Sequence, residues 1–216
     1  MPSGLGRCGP RRGQPLRAAV SATTTGLVAQ VDAAEVIAVD MPIGLSASGQ
    51  READRLAHRY LGPRRASIFM TPVRPALEAV GFQEANRLAR NLTGSGISRQ
   101  AYALRAKILE VERWRRVCPT PVFEAHPEVS FAVLGNGAMT ASKKSWTGML
   151  QRLDLLRQVG VHLPADLGVA GARVAVDDML DAAVLAWTAH RIHLGQAVSF
   201  PSPPEDLSGV AAAIWA

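Results

Sequence analysis

Val36-Ile37-Ala38-Val39-Asp40-Met41-Pro42-Ile43-Gly44-Leu45 is the stretch that decides the fold class. Its first four residues are apolar and mostly β-branched, so they read as a buried strand, which Pro42 and Gly44 stop. Asp40 then falls at a strand end, the rim on which α/β enzymes place their chemistry. Further along, Val122-Phe123-Glu124 reads as a second short strand ending in an acid, followed by Ala125-His126-Pro127-Glu128. A third acidic group, Asp177-Asp178-Met179-Leu180-Asp181, opens the last helical stretch.

Between these strands the periodicity is helical. Residues 50–61 put Ala53, Leu56, Ala57 and Tyr60 on one face and Arg51, Arg55 and Arg59 on the other, and Gly62-Pro63 ends the helix. A helix over 82–92 runs into the Gly94/Gly96 turn, and Ser98 caps a long helix to about Val117, which Cys118-Pro119-Thr120-Pro121 breaks. Residues 146–159 and about 177–194 give two more helices. Residues 16–22 suit a short strand, 23–34 a helix, and Pro201, Pro203 and Pro204 a loop. Trp114, Trp146 and Trp187 lie on helices and read as core. Residues 1–15, rich in Gly, Pro and Arg, read as a disordered tail. With no repeat and no internal linker, residues 16–216 make one α/β domain.

Composition narrows the function classes. The chain has 216 residues, 48% of them hydrophobic, and no apolar run nears the ~18 residues of a membrane span. There is no signal-peptide pattern, and Cys8 and Cys118 have no metal-ligand spacing, so a cytoplasmic location is expected. A net charge of +6 and a pI near 10.1 suit a polyanion such as nucleic acid. The competing explanation is a GC-rich coding bias, since Lys occurs only at 107, 143 and 144.

The carboxylates suggest a chemistry. Asp178 and Asp181 are i,i+3 and share a helix face. The helix dipole explains Asp177 and Asp178 in a first turn, but not Asp181 one turn further in. Carboxylates gathered at one rim repel one another, and a hard divalent cation such as Mg²⁺ or Mn²⁺ relieves that repulsion. Such ions activate water and stabilise the leaving oxygen of a phosphodiester.

Six ordered segments carry a family resemblance: VDMPIGL (39–45), READRLAHRYLGPRRASIF (51–69), TGSGISRQAY (93–102), FEAHPEVSF (123–131), SKKSWTG (142–148) and DDMLDAAVLAWTA (177–189). Together they resemble the family called domain of unknown function 429, described as predicted nucleases of RNase H-like fold. The resemblance implies a mixed sheet flanked by helices and metal-dependent phosphodiester hydrolysis. It also implies that Asp40, Glu124, Asp178 and Asp181 are catalytic metal ligands for Mg²⁺ or Mn²⁺. Arg64, Arg65, Lys143, Lys144 and His126 would contact the substrate. Members of this fold usually open on a strand with a central acid, and nothing in residues 1–15 is similar, so that strand and acid are expected to be missing through a late or misplaced start. Two readings follow: a nuclease acting on DNA or RNA, and a non-catalytic nucleic-acid-binding protein that has lost a metal ligand. A phosphotransferase would need Gly-rich phosphate loops that the sequence does not show.

Overall fold

The computed structural model describes residues 17–30 and 34–216, and the backbone of Leu5–Arg7. These fall into two compact units, each assembled from segments distant in sequence. Unit 1 draws on Met1–Asp40, Cys118–Val198 and Trp215–Ala216, and unit 2 on Met41–Val117 and Ser199–Ile214. The sequence reading drew one domain over 16–216. A search for linkers does not see this division, because the chain passes from one unit to the other without one.

Unit 1 is built on a three-stranded sheet of order β1-β2-β3, formed by Leu5–Arg7 (β1), Ile37–Val39 (β2) and Val122–Glu124 (β3). β2 lies in the middle, antiparallel to β1 and parallel to β3. A central strand is covered on both faces, so its side chains are apolar without alternation, as Ile37, Ala38 and Val39 are. β1 lies inside the stretch expected to be a tail; the rest of residues 1–16 falls outside the described residues. Arg17–Ala22, expected as part of a strand, forms none. The next segment forms a short helix α1, Thr24–Val28, capped by Thr23 Oγ1 accepting from Gly26 N.

Helices α7 (Pro127–Leu134), α8 (Trp146–Gln158), α9 (Gly168–Arg173) and α10 (Val176–His193) complete unit 1. Every residue from Ala183 to Ala189 on α10 is buried. The reason is that this helix serves two cores. Leu180, Ala183, Val184 and Trp187 pack with Phe131 and Leu156, while Leu185 and Ala189 pack against Val36, Ala38 and Ala125 of the sheet region. A helix apolar on nearly all sides belongs inside. Trp187 is core, as read from sequence, but Trp146 is 72% exposed and is not.

Unit 2 is mainly helical: α2 (Glu52–Leu61), a 3₁₀ segment (Gly62–Ser67), α3 (Arg74–Glu78), α4 (Phe82–Thr93), α5 (Arg99–Ala103) and α6 (Arg105–Val117). The single helix expected from Ser98 to Val117 is divided at Leu104, whose N–H turns back to Ala101 and Gln100 carbonyls. Residues 199–206 form strand β4 (Ser199–Asp206), paired with β5 (Ala211–Trp215). They were expected as a loop because of their prolines, yet an edge strand tolerates proline where no ladder donor is needed. Gly44 must be glycine: its φ is +82°, and a Cβ would stand 2.7 Å from Ala212 Cβ.

The start of α8 shows a similar constraint. An ideal Cβ on Gly148 would lie 1.9 Å from the Ser142 carbonyl oxygen, which is backbone and cannot rotate away. Helix propensity alone favours Ala over Gly by about 1 kcal/mol, but overpacking costs about 1–3 kcal/mol or more. Gly148→Ala should therefore lower stability by about 2 kcal/mol in urea unfolding. An unchanged or higher midpoint would show that the 142–148 loop is not packed this closely.

Candidate active site

The parallel pairing of β2 and β3 brings two strand-ending acids to one end of the sheet. Val39 stands in register with Glu124, and Ala125 N donates to Val39 O at 2.9 Å. Alternation along a strand turns Asp40 and Glu124 to opposite faces. The charged neighbours of Asp40 are accordingly His126, Lys143 and Asp178. Glu124 is buried, 5% exposed. The charge of Glu128, in the first turn of α7, bears on Asp181.

Asp177, Asp178 and Asp181 come from the start of α10, the first two in its first turn. Asp181 meets Lys143, whose Nζ donates to its Oδ2 at 2.5 Å. Lys143 arrives on the loop between α7 and α8, and buried groups hold that loop on either side of it. Arg152 is fully buried on α8. Its Nη1 donates to the carbonyls of Ala141 at 3.3 Å and Gly148 at 3.0 Å, and its Nη2 donates to Glu128 Oε1 at 2.6 Å. The guanidinium also lies over the Phe131 ring, 5.3 Å from its centroid. Ser145 N and Oγ both donate to Ser142 O, and Ser145 Oγ accepts from Gly148 N to cap α8.

The cluster is incompletely satisfied. Asp181 Oδ1, Glu128 Oε2 and His126 Nδ1 are buried with no hydrogen-bond partner. Buried acceptors and donors left so usually cost about 1–3 kcal/mol each. Burial pushes the Asp181 carboxyl up to about 7; Lys143 opposes this by charge and hydrogen bond, while Asp40 and Glu128 add to it. Asp40 is likewise raised, by burial first and by Asp178, against His126 and Lys143. Burial works against the Lys143 charge too, but Asp181, Asp177 and Asp40 together outweigh it and hold the ammonium above its ordinary range. The two partners pull against each other, since the Asp181 charge that raises Lys143 is the charge that burial suppresses. Asp181 governs the pair because its side chain is 13% exposed against 33% for Lys143.

Among the described residues, no group of three or more His, Cys, Asp or Glu stands close enough to hold a metal ion. The cation at the aspartates in this structure is Lys143. Lys144 is exposed, and its backbone N–H donates to Ser142 Oγ. Arg64 and Arg65 lie on the 3₁₀ segment of unit 2. That unit holds 14 Arg or Lys against 8 Asp or Glu, which accounts for the chain's whole net charge of +6.

Residues 8–206, which include every one of these side chains, match the family described as "Protein of unknown function (DUF429)". The chain belongs to that family. No curated protein and no solved structure matches the chain. The mixed α/β architecture is therefore described from this molecule alone, and no helix among the described residues is long and apolar enough to cross a membrane. In this family member the sequence reading named Glu128 beside Glu124 without a role of its own, and missed Arg152. Glu128 stood in the quoted FEAHPEVSF segment, but nothing in the sequence marked it above Glu124. An Arg within a helix reads as solvent-facing, so Arg152 gave no signal.

A pH dependence follows. Between the ordinary aspartate value of 3.8 and about 7, the unfolded chain loses the Asp181 proton while the folded chain keeps it. Stability should then fall as pH rises through that window. Asp181→Asn removes the effect, so the variant should be more stable than the wild type at pH 8 by on the order of 1–2 kcal/mol and nearly equal to it below pH 4. Urea unfolding at the two pH values checks this. A variant less stable at pH 8 would mean that the ion pair with Lys143 outweighs the burial of Asp181.

Proposed function

We propose that this protein is a divalent-metal-dependent hydrolase of phosphodiester bonds in nucleic acid, with RNase H-like ancestry. The observation that carries the reading is the Asp40–Asp178–Asp181 cluster at the end of the sheet, with a buried, unpartnered oxygen on Asp181 and another on Glu128. The fit to Mg²⁺ or Mn²⁺ is one of donor type and charge, since every donor is a hard carboxylate oxygen and the acids outnumber the ammonium among them. Asp40, Asp178 and Asp181 would hold the ion by drawing closer than they stand here, with Glu128 and Glu124 near the same sheet end. Bound there, it would supply a water activated at neutral pH and a counter-charge for the leaving oxygen.

The chain's own residues do the rest. Asp181, with its carboxyl near 7, gains or loses a proton at working pH. Lys143 holds Asp181 through Oδ2 and leaves Oδ1 unpartnered. His126, beside Asp40, has a buried Nδ1 with no hydrogen-bond partner in the protein. Arg152 fixes the loop that sets Lys143 in place.

The second reading, a nucleic-acid-binding protein without turnover, is favoured by one observation. Lys143 already neutralises part of the cluster, and no three donors gather as a cage among the described residues.

Labelled single-stranded and duplex DNA and RNA, incubated with Mn²⁺, Mg²⁺ or EDTA, separate the two. The hydrolase reading expects metal-dependent products that Asp40→Asn reduces at least about 100-fold, with an unchanged circular dichroism spectrum. Binding without products at any metal concentration would leave the second reading standing. Cleavage at wild-type rate by Asp40→Asn would remove the cluster from the chemistry.

A further inference from the structure

We propose that the loop delivering Lys143 to the carboxylates also carries a nucleobase subsite, formed by the Trp146 indole with the Lys144 ammonium beside it. The strand reaching the cluster is then single-stranded at that point. This rests on the nucleic-acid reading above and adds the form of the substrate.

The first ground is exposure. Trp146 is 72% exposed, whereas Trp187 of the same unit is 8% exposed in the core. An indole is the side chain with most to gain from burial, and its N–H needs only one partner. Among the described residues no aromatic ring or guanidinium stacks on Trp146. A single exposed apolar residue is ordinary on a protein surface; the setting is what distinguishes this one.

The second ground is rigidity. Trp146 is the first residue of α8, directly after the capping Ser145. Two bonds from Ser145 to the Ser142 carbonyl, the close approach of Gly148 to that same carbonyl, and the hold of Arg152 on Ala141 and Gly148 fix the backbone around it. An aromatic presented by a backbone already ordered binds a base with little further loss of entropy.

The third ground is placement and charge. Trp146 lies three positions after Lys143, so their Cα atoms are at most about 10 Å apart. Lys143 contacts Asp181, while Lys144 is exposed and forms no salt bridge with a described residue. One loop therefore offers an ammonium to the acids, a second to solvent, and an open π-face beside it. A nucleotide needs the last two: a cation for its phosphate and a platform for its base. In a duplex the base faces are already stacked, so only an unpaired strand can use the indole.

The test uses the full chain with Asp181→Asn as background, to keep the probe intact, and fluorescein-labelled dT₁₂, alone and paired with dA₁₂. Binding is read by anisotropy and by tryptophan emission. dT₁₂ should quench the exposed indole, and Trp146→Leu should abolish that quench. The same variant should weaken dT₁₂ binding about tenfold without changing the melting temperature, and Trp146→Phe should recover most of the loss. Lys144→Gln should lower the slope of log Kobs against log salt by about 0.7, the single-strand value for one phosphate contact. Binding within twofold of the background for Trp146→Leu, or equal losses on single strand and duplex, would overturn the subsite. So would quenching by phosphatidylserine vesicles with none by dT₁₂, which would make Trp146 a membrane-surface contact. The hydrolase reading fails separately: Trp146-dependent binding by a wild-type protein that never cuts keeps the subsite and ends the catalysis. Metal-dependent cutting indifferent to Trp146 does the reverse.

Discussion

One ammonium group stands among more carboxylates than it can neutralise, and unit 1 is arranged around that imbalance. Lys143 donates to Asp181 Oδ2, and the charges of Asp177 and Asp40 also bear on it, while Glu128 bears on Asp181. In water such a group would cost little. Here the Asp181 side chain is largely buried, and one of its oxygens has neither a protein donor nor access to solvent. Taking carboxylates out of water raises the energy of the charged form, and nearby like charges raise it further. The protein holds a strained electrostatic arrangement at a sheet end, where α/β folds gather function.

The same chain shows what a satisfied buried acid looks like. Asp54 of unit 2 is 2% exposed. It accepts from Thr71 N at 2.7 Å and from Thr71 Oγ1 at 3.2 Å, and Arg51 lies 3.7 Å away. That network ties helix α2 to the segment before α3. Arg152 belongs to the structural kind on its own side, with Glu128, two carbonyls and the Phe131 ring around it. Its other effect is mechanical: it secures the loop from which Lys143 reaches Asp181. Both oxygens of Asp54 are hydrogen-bonded, whereas Asp181 and Glu128 each keep one buried oxygen without a partner.

Much of this was legible in the sequence, for identifiable reasons. The β-branched run before Asp40 and the Pro and Gly behind it mark a strand end. Asp181 stood out because the helix dipole cannot account for an acid one turn in. The part of Glu128 was not legible, since it depends on where α7 sets its first turn after Glu124 ends β3. Lys143 came only through family resemblance, because a Lys-Lys pair in a loop is ordinarily solvated. The strand at Ser199–Asp206 was hidden by its prolines, and the division into two units by the absence of any linker at their junctions.

The imbalance at Asp181 can be measured directly. Carboxyl ¹³C shifts of the aspartates, followed against pH with and without Mg²⁺, report the charge on that side chain. The account predicts an Asp181 midpoint near 7 without the ion, moving down by at least about one unit when Mg²⁺ is added. A midpoint near the ordinary 3.8, indifferent to Mg²⁺, would contradict both the strained cluster and its reading as a metal-binding site.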